Sequence, residues 1–148
     1  MIVGVGIDII EIERIEKAIS RSNKFIEKVF TENERVYFGT RNNRIEVITG
    51  NFAAKEAIVK AIGVGFVDIG LKDVEVLRDP FGKPYVVLYN KAKAMLSDTS
   101  TVHISISHCK DYAVANATIE SLDKSDINEM EFSLMQKLQW NKYILGGI

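Results

Sequence analysis

The sequence predicts an α+β domain, a small and mainly antiparallel sheet packed against helices, and three observations carry that reading. Apolar residues recur at helical spacing over 12–26, and an alanine-rich apolar run fills 52–61. Two β-branched runs, 74–77 and 85–88, flank the turn sequence Asp79-Pro80-Phe81-Gly82-Lys83-Pro84. Further on, Val102, Ile104 and Ile106 alternate with His103, Ser105 and Ser107, so one strand face packs inward and the other is polar.

Taken in order, residues 2–8 read as a buried strand, β-branched and broken by Gly4 and Gly6, that ends in a lone carboxylate, Asp8. A helix is expected over 11–28, with Ile12, Ile15, Ile19 and Ile26 on one stripe and Arg14, Lys17, Arg21, Lys24 and Lys28 on another. Thr31 and Glu34 have capping-box spacing and start a shorter helix running toward Gly39. After a polar connector at 42–44, Thr49 or Asn51 caps a helix that stops near Gly63. Residues 63–70 form a loop centred on Phe66 and Val67, the hairpin follows, and a helix is expected over 90–96. Strands 102–107 and 112–119 close the domain around His108-Cys109-Lys110-Asp111. Beyond residue 120 the character changes, and 121–148 read as a C-terminal extension to a single domain spanning 1–120. Within it Asp126 and Glu129 have cap spacing, and Ile127, Met130, Leu134 and Leu138 suit a short amphipathic helix.

Composition excludes several classes of function. The 148 residues carry a formal net charge of -1, which does not suit a nucleic-acid protein that works through a strongly basic surface. Of 20 acidic and 19 basic residues, four and three lie in 121–148, so 1–120 holds 16 of each and any charged partner must meet a local patch. The apolar runs are far shorter than the ~20 residues that span a bilayer, and no basic leader precedes the first of them, so a cytoplasmic protein with no membrane partner is expected. One cysteine, Cys109, can build neither an internal disulfide nor a cysteine-based zinc site. Metal chemistry therefore rests on oxygen ligands.

Candidate chemistry lies at three places. Asp8 and Glu56 come from separate elements, and Lys60 shares a helix face with Glu56; two carboxylates and a cation can hold a hard divalent ion against a phosphate. Equally, Glu56 and Lys60 suit a surface helical pair, with Asp8 a turn residue. His103, Ser105, Ser107 and His108 offer phosphate donors or a base, or simply a half-exposed sheet face. Ser-Ile-Ser-His lacks the glycine setting of a nucleophile elbow, and neither a third dinucleotide-loop glycine nor a Walker A sequence is present. The basic stripe is either a solvated face or a docking surface for an acidic partner helix, with Phe25 as an apolar anchor beside Lys24.

Gly6-Ile7-Asp8-Ile9, Phe52-Ala53-Ala54-Lys55-Glu56-Ala57 with Lys60-Ala61, Phe81-Gly82-Lys83-Pro84 and His103-Ile104-Ser105-Ile106-Ser107-His108 occur in one order. Together they resemble the holo-[acyl-carrier-protein] synthase family, the small phosphopantetheinyl transferases of fatty-acid synthesis, over residues 1–120. The resemblance implies transfer of phosphopantetheine from coenzyme A to a serine of apo acyl carrier protein, releasing adenosine 3',5'-bisphosphate. It implies Asp8 and Glu56 as Mg²⁺ ligands, Glu56 as the group taking the serine proton directly or through water, and Lys60 as a charge offset on the phosphoryl oxygens. It further implies His103, Ser105 and Ser107 as the coenzyme A contact strand, with His103 an alternative base, and Gly82, Lys83 and Pro84 as the nucleotide-side loop. Arg14, Arg21, Lys24 and Phe25 match the carrier-binding helix, and a homotrimer with active sites between subunits is implied. Asn51 stands where the family commonly has arginine or tryptophan, so coenzyme A affinity is expected to lean on Arg44, Lys83 or Lys110. The competing expectation is a non-catalytic oligomeric module that binds an acidic carrier.

Overall fold

In the computed structural model, residues 1–63 and 69–122 are described. The expected loop centre at Phe66 and Val67 and the amphipathic pattern from Asp126 to Leu138 lie outside them. Chain order is β1 (Ile2–Glu11), α1 (Ile12–Arg21), α2 (Phe25–Val29), α3 (Glu32–Thr40), α4 (Ile45–Ile62), β2 (Val74–Arg78), β3 (Pro84–Leu88), α5 (Asn90–Ala94), β4 (Ser100–His108) and β5 (Tyr112–Ser121). Two antiparallel sheets result, one in the order β1-β5-β4 and one pairing β2 with β3.

The three-stranded sheet lays one face on α4. Gly4, Gly6, Asp8 and Ile10 of β1 point to that side, in register with the buried alanines of β5, Ala113, Ala115 and Ala117, and with Ile104 and Ile106 of β4. A Cβ on Gly6 would run into the Ala57 carbonyl oxygen, and one on Gly4 into that of Ala61. The bare glycine backbone therefore lets α4 sit directly on β1, where any side chain would hold the two apart. Helix α4 ends at Gly63, whose φ of 87° makes the left-handed turn that closes the last carbonyls.

Four expectations change here. Strand β1 runs on past Asp8 to Glu11, and only one of its faces is buried; Val5, Ile7 and Ile9 are 61%, 61% and 65% exposed. The helix expected over 11–28 breaks in two, because Ser22 turns extended at φ -145° and its hydroxyl accepts from the Lys24 amide at 3.3 Å. Serine side chains compete with helical hydrogen bonding, and Ser22 does so here. Helix α4 starts a full turn before Thr49, whose hydroxyl instead donates to the Ile45 carbonyl at 2.8 Å. Asn51 is fully buried inside α4, donating to the Val76 carbonyl and accepting from Arg78, each at 2.9 Å. It is a core residue that ties α4 to β2, so a phosphate contact is not its work.

Between α3, α4 and β2 lies a buried polar knot. The expected capping box forms: Thr31 accepts from the Glu34 amide and Glu34 from the Thr31 amide. The Glu34 carboxylate also meets the Lys55 ammonium at 2.8 Å, with both side chains fully out of solvent. Burial pushes the Glu34 carboxyl up and the Lys55 ammonium down, while each charge holds the other back. Taking such ions out of water costs several kcal/mol apiece, which only close pairing offsets.

Gly6→Ala should destabilise the protein by on the order of 3 kcal/mol, since an overpacked contact with backbone has nowhere to relax. Gly39→Ala, on the exposed side of α3 with nothing within 4 Å, should raise stability by about 0.5 kcal/mol. Denaturant midpoints of the two variants check the pair, and equal midpoints would dismiss the close-approach constraint.

Candidate functional site

Asp8 occupies the middle of β1, its backbone paired with Ala115, and its side chain faces α4. There it meets Glu56 and Lys60, one turn apart on the helix. Lys60 does not bond its helical neighbour; it reaches the Asp8 Oδ1 at 2.7 Å and the Ile7 carbonyl at 3.0 Å. The other Asp8 oxygen, Oδ2, is buried without a hydrogen-bond partner among the described residues. Such an orphan acceptor is costly unless a donor or a cation arrives.

Glu56 supplies the second half of the problem. Its carboxyl is pushed up to about 7, first by burial and then by the neighbouring Asp8 carboxylate, against which the Arg14 and Lys60 charges pull downward. Two acids from separate elements crowd one point: while Glu56 holds its proton it can donate to Asp8, and once it loses that proton the buried Asp8 oxygen faces a second carboxylate. An all-oxygen donor pair of this kind suits a hard divalent cation that completes its shell with phosphate and water. Among the described residues no group of three or more His, Cys, Asp or Glu could hold a metal.

Other expected residues fall elsewhere. His103, Ser105 and Ser107 project from the opposite face of the same sheet, in register with Thr118, Asn116 and Val114. His103 pairs there with Glu120 at 3.1 Å, both half-exposed. Across β5, that polar row continues into the exposed Val5, Ile7 and Ile9 of β1. Within one chain, the sheet therefore separates the acids from the histidine and serines.

Gly82, Lys83 and Pro84 sit in the β2–β3 hairpin, a turn fixed by Asp79, whose Oδ1 accepts from the Phe81 and Lys83 amides at 2.9 Å each. Gly82 carries the positive φ, 84°, that the turn requires, and Phe81 stands 95% exposed at its tip. Arg44 lies just before α4 and meets Glu46 at 3.7 Å, twelve residues and about 18 Å of helix from Glu56. Arg14, Arg21 and Lys24 are exposed, but the break at Ser22 divides the basic stripe. Phe25 is half-buried against Phe52, ring centroids 6.2 Å apart, which braces α2 on α4.

A model of the 4'-phosphopantetheinyl transferase superfamily matches residues 4–117. The chain belongs to that superfamily. A holo-[acyl-carrier-protein] synthase from Clostridium beijerinckii is 52% identical over 123 residues, covering 82% of this chain and 100% of that protein. The holo-(acyl-carrier-protein) synthase of Bacillus anthracis, solved in complex with CoA (3',5'-ADP), is similar with a TM-score of 0.67 at 42% identity, covering 82% of this chain and 98% of that one. Holo-ACP-synthase from Plasmodium yoelii gives a TM-score of 0.73 at 34% identity, covering 83% and 98%. In this phosphopantetheinyl transferase superfamily member, Arg14 sits in the first turn of α1, directly after the strand carrying Asp8, and its charge acts on Glu56 as well as forming part of the basic stripe.

In the metal-free protein the Glu56 carboxyl should titrate near 7, and Asp8→Asn should lower that value without restoring it to 4.5, because burial remains. A carboxyl that holds its proton more tightly when folded makes the fold lose stability as pH rises from about 4.5 to about 7. NMR titration of the side-chain carboxyl checks the value, and a Glu56 midpoint at 4.5 in the parent protein would remove the crowding.

Proposed function

We infer that the chain transfers the phosphopantetheine moiety of coenzyme A to a serine hydroxyl of apo acyl carrier protein, giving holo carrier protein and adenosine 3',5'-bisphosphate. It is a holo-[acyl-carrier-protein] synthase by this reading, with residues 1–120 as the transferase domain and 121–148 as an extension, working in the cytoplasm. The observation that carries the mechanism is the cluster of Asp8, Glu56 and Lys60 on one face of the sheet, with an Asp8 oxygen lacking any partner among the described residues. A protein that merely held a carrier would have no need of it.

Asp8 and Glu56 would hold Mg²⁺, consistent with their crowded, all-oxygen pairing. When bound, Mg²⁺ supplies positive charge for the pyrophosphate oxygens of coenzyme A. The chain's own groups do the rest. Glu56 takes the proton of the carrier serine as its Oγ bonds to the β-phosphorus, and the bond to the leaving 5'-phosphate oxygen of adenosine 3',5'-bisphosphate breaks. Lys60 has two acceptors among the described residues, which leaves the third ammonium proton for a phosphoryl oxygen whose charge grows in the transition state. Glu56 is the base by this reading because it lies against Asp8 and Lys60 in its own chain, whereas His103 could reach them only from a second copy, where it stands as the alternative base.

Arg14, Arg21 and Lys24 offer the positive face for an acidic carrier helix. His103, Ser105, Ser107 and the Gly82-Lys83-Pro84 turn suit the nucleotide end of coenzyme A. Because the sheet divides that row from the acids, a site that uses both takes them from two copies of the chain. The exposed apolar row Val5, Ile7 and Ile9, next to the polar row, supports an interface with another copy of the chain, and the family resemblance implies that the assembly is a homotrimer with active sites between subunits.

Incubating apo carrier protein with coenzyme A and Mg²⁺ should add the phosphopantetheine mass to the carrier. Glu56→Gln should lower kcat by about 10²-fold or more, and Arg21→Glu should raise the carrier KM about tenfold while leaving the coenzyme A KM alone, less so at high salt. Carrier binding without any mass gain would instead mark a non-catalytic module. Ile7→Asp should convert the assembly to monomers in sedimentation and abolish transfer; a monomeric parent protein with full activity would rule out the shared site.

A further inference from the structure

We propose that Lys55, together with Glu34, is a positioning residue for the transfer reaction, setting the rotation of α4 so that Glu56 faces Asp8. The proposal rests on the transferase reading above and assigns work to a residue that touches no substrate. Lys55 precedes Glu56 directly, so the two side chains leave the helix about 100° apart, Glu56 toward β1 and Lys55 toward α3 and β2.

The surroundings of Lys55 are those of a geometric lock. Its ammonium is fully buried and meets three acceptors: the Leu71 carbonyl at 2.9 Å, the Val74 carbonyl at 2.5 Å and the Glu34 carboxylate at 2.8 Å. Those satisfy all three of its protons. Below it the Phe30 ring centroid lies 5.4 Å away. Glu34 is fixed in turn by the amides of Thr31 at 2.8 Å and Val76 at 3.0 Å. Every acceptor of Lys55 is thus backbone or is itself held by backbone.

An apolar side chain of similar length would fill this place and is often no worse for stability than a buried ion pair. What an apolar contact cannot do is fix an angle. Gly4 and Gly6 present a smooth surface that sets how close α4 lies to β1, yet a helix seated on bare backbone can still roll. Rolling by about 10° moves a side-chain tip at the helix surface by about 1 Å. Misplacement on that scale can cost about 10²-fold in rate. Directional bonds from Lys55 to two carbonyls and a clamped carboxylate oppose that roll from the flank of α4 that faces α3 and β2.

The test uses the double variant E34Q/K55M, because Lys55→Met alone strands the Glu34 charge in the core. Glutamine at 34 can still accept from the Thr31 amide through its one carbonyl oxygen, which keeps the capping box of α3 and gives up the bond from the Val76 amide. With the full chain, apo carrier protein, coenzyme A and Mg²⁺, the double variant should fold, keep both KM values within about threefold and lose about 10- to 100-fold in kcat. The Mg²⁺ concentration for half-maximal rate should rise alongside, since the two carboxylates no longer face each other squarely. Glu34→Asp, which keeps a carboxylate in the core for Lys55 but draws it back by one methylene and leaves the Lys55 bonds to both carbonyls in place, should lose less, about 3- to 10-fold, and serves if the double variant does not fold. Parent-like kcat and Mg²⁺ dependence in a folded variant overturn the positioning role while leaving the transferase reading intact. A kcat loss that merely follows the folded fraction overturns it as well. Failure of the parent protein to modify the carrier overturns the reading beneath it.

Discussion

The contact between α4 and β1 is the constraint on which the rest of the molecule hangs. Gly4 and Gly6 give up their side chains so that the Ala57 and Ala61 backbone can rest on the strand. At that separation a short aspartate on β1 and a glutamate on α4 share one small space, and a lysine one turn further along the helix can fold back to the strand. With ordinary side chains at positions 4 and 6 the helix would stand off, and each acid would find water in place of the other. The electrostatic tension at the site is thus a product of backbone packing before it is a matter of charge.

The sheet then does two jobs with its two faces. Toward α4 it supplies small residues, the alanines of β5 and the glycines of β1, which keep the layer thin. Away from α4 it carries a row of aliphatic side chains beside a row of imidazole and hydroxyl groups. A period of two along the strands is enough to produce both from one stretch of sequence. Asp8 and Ile7 on β1, like Ile106 and Ser105 on β4, are neighbours along their strands, yet they look in opposite directions.

Much of this was legible from local pattern. The hairpin, the alternation in β4, the capping box at Thr31 and the stop at Gly63 are short-range signals, and each is met in the structure. What escaped depends on partners far away in sequence. Lys55 reads as an ordinary helical lysine until Glu34 and the Leu71 and Val74 carbonyls surround it. Asn51 and Thr49 read as caps because their side chains suit helix starts, whereas the helix runs through them and their polar groups are satisfied inside the core. The apolar run of β1 reads as buried on both sides, since composition does not say whether a hydrophobic face meets its own chain or another. A three-residue break at 22–24 is invisible to the isoleucine spacing that spans it.

The Thr31 hydroxyl links elements in a way that reaches beyond the site. It accepts from the Glu34 amide to cap α3 and donates to the Glu75 carboxylate on β2, which also takes the Tyr89 hydroxyl at 2.9 Å. Glu34 meanwhile accepts from the Val76 amide, the neighbouring rung of the same strand. The first turn of α3 cannot fray without uncovering two buried carboxylates, and β2 cannot peel away without losing the same bonds. Helix start and hairpin strand are therefore one cooperative unit, which opens to solvent together or not at all, so amide exchange in this corner reflects a shared event and not the usual loosening of a helix end.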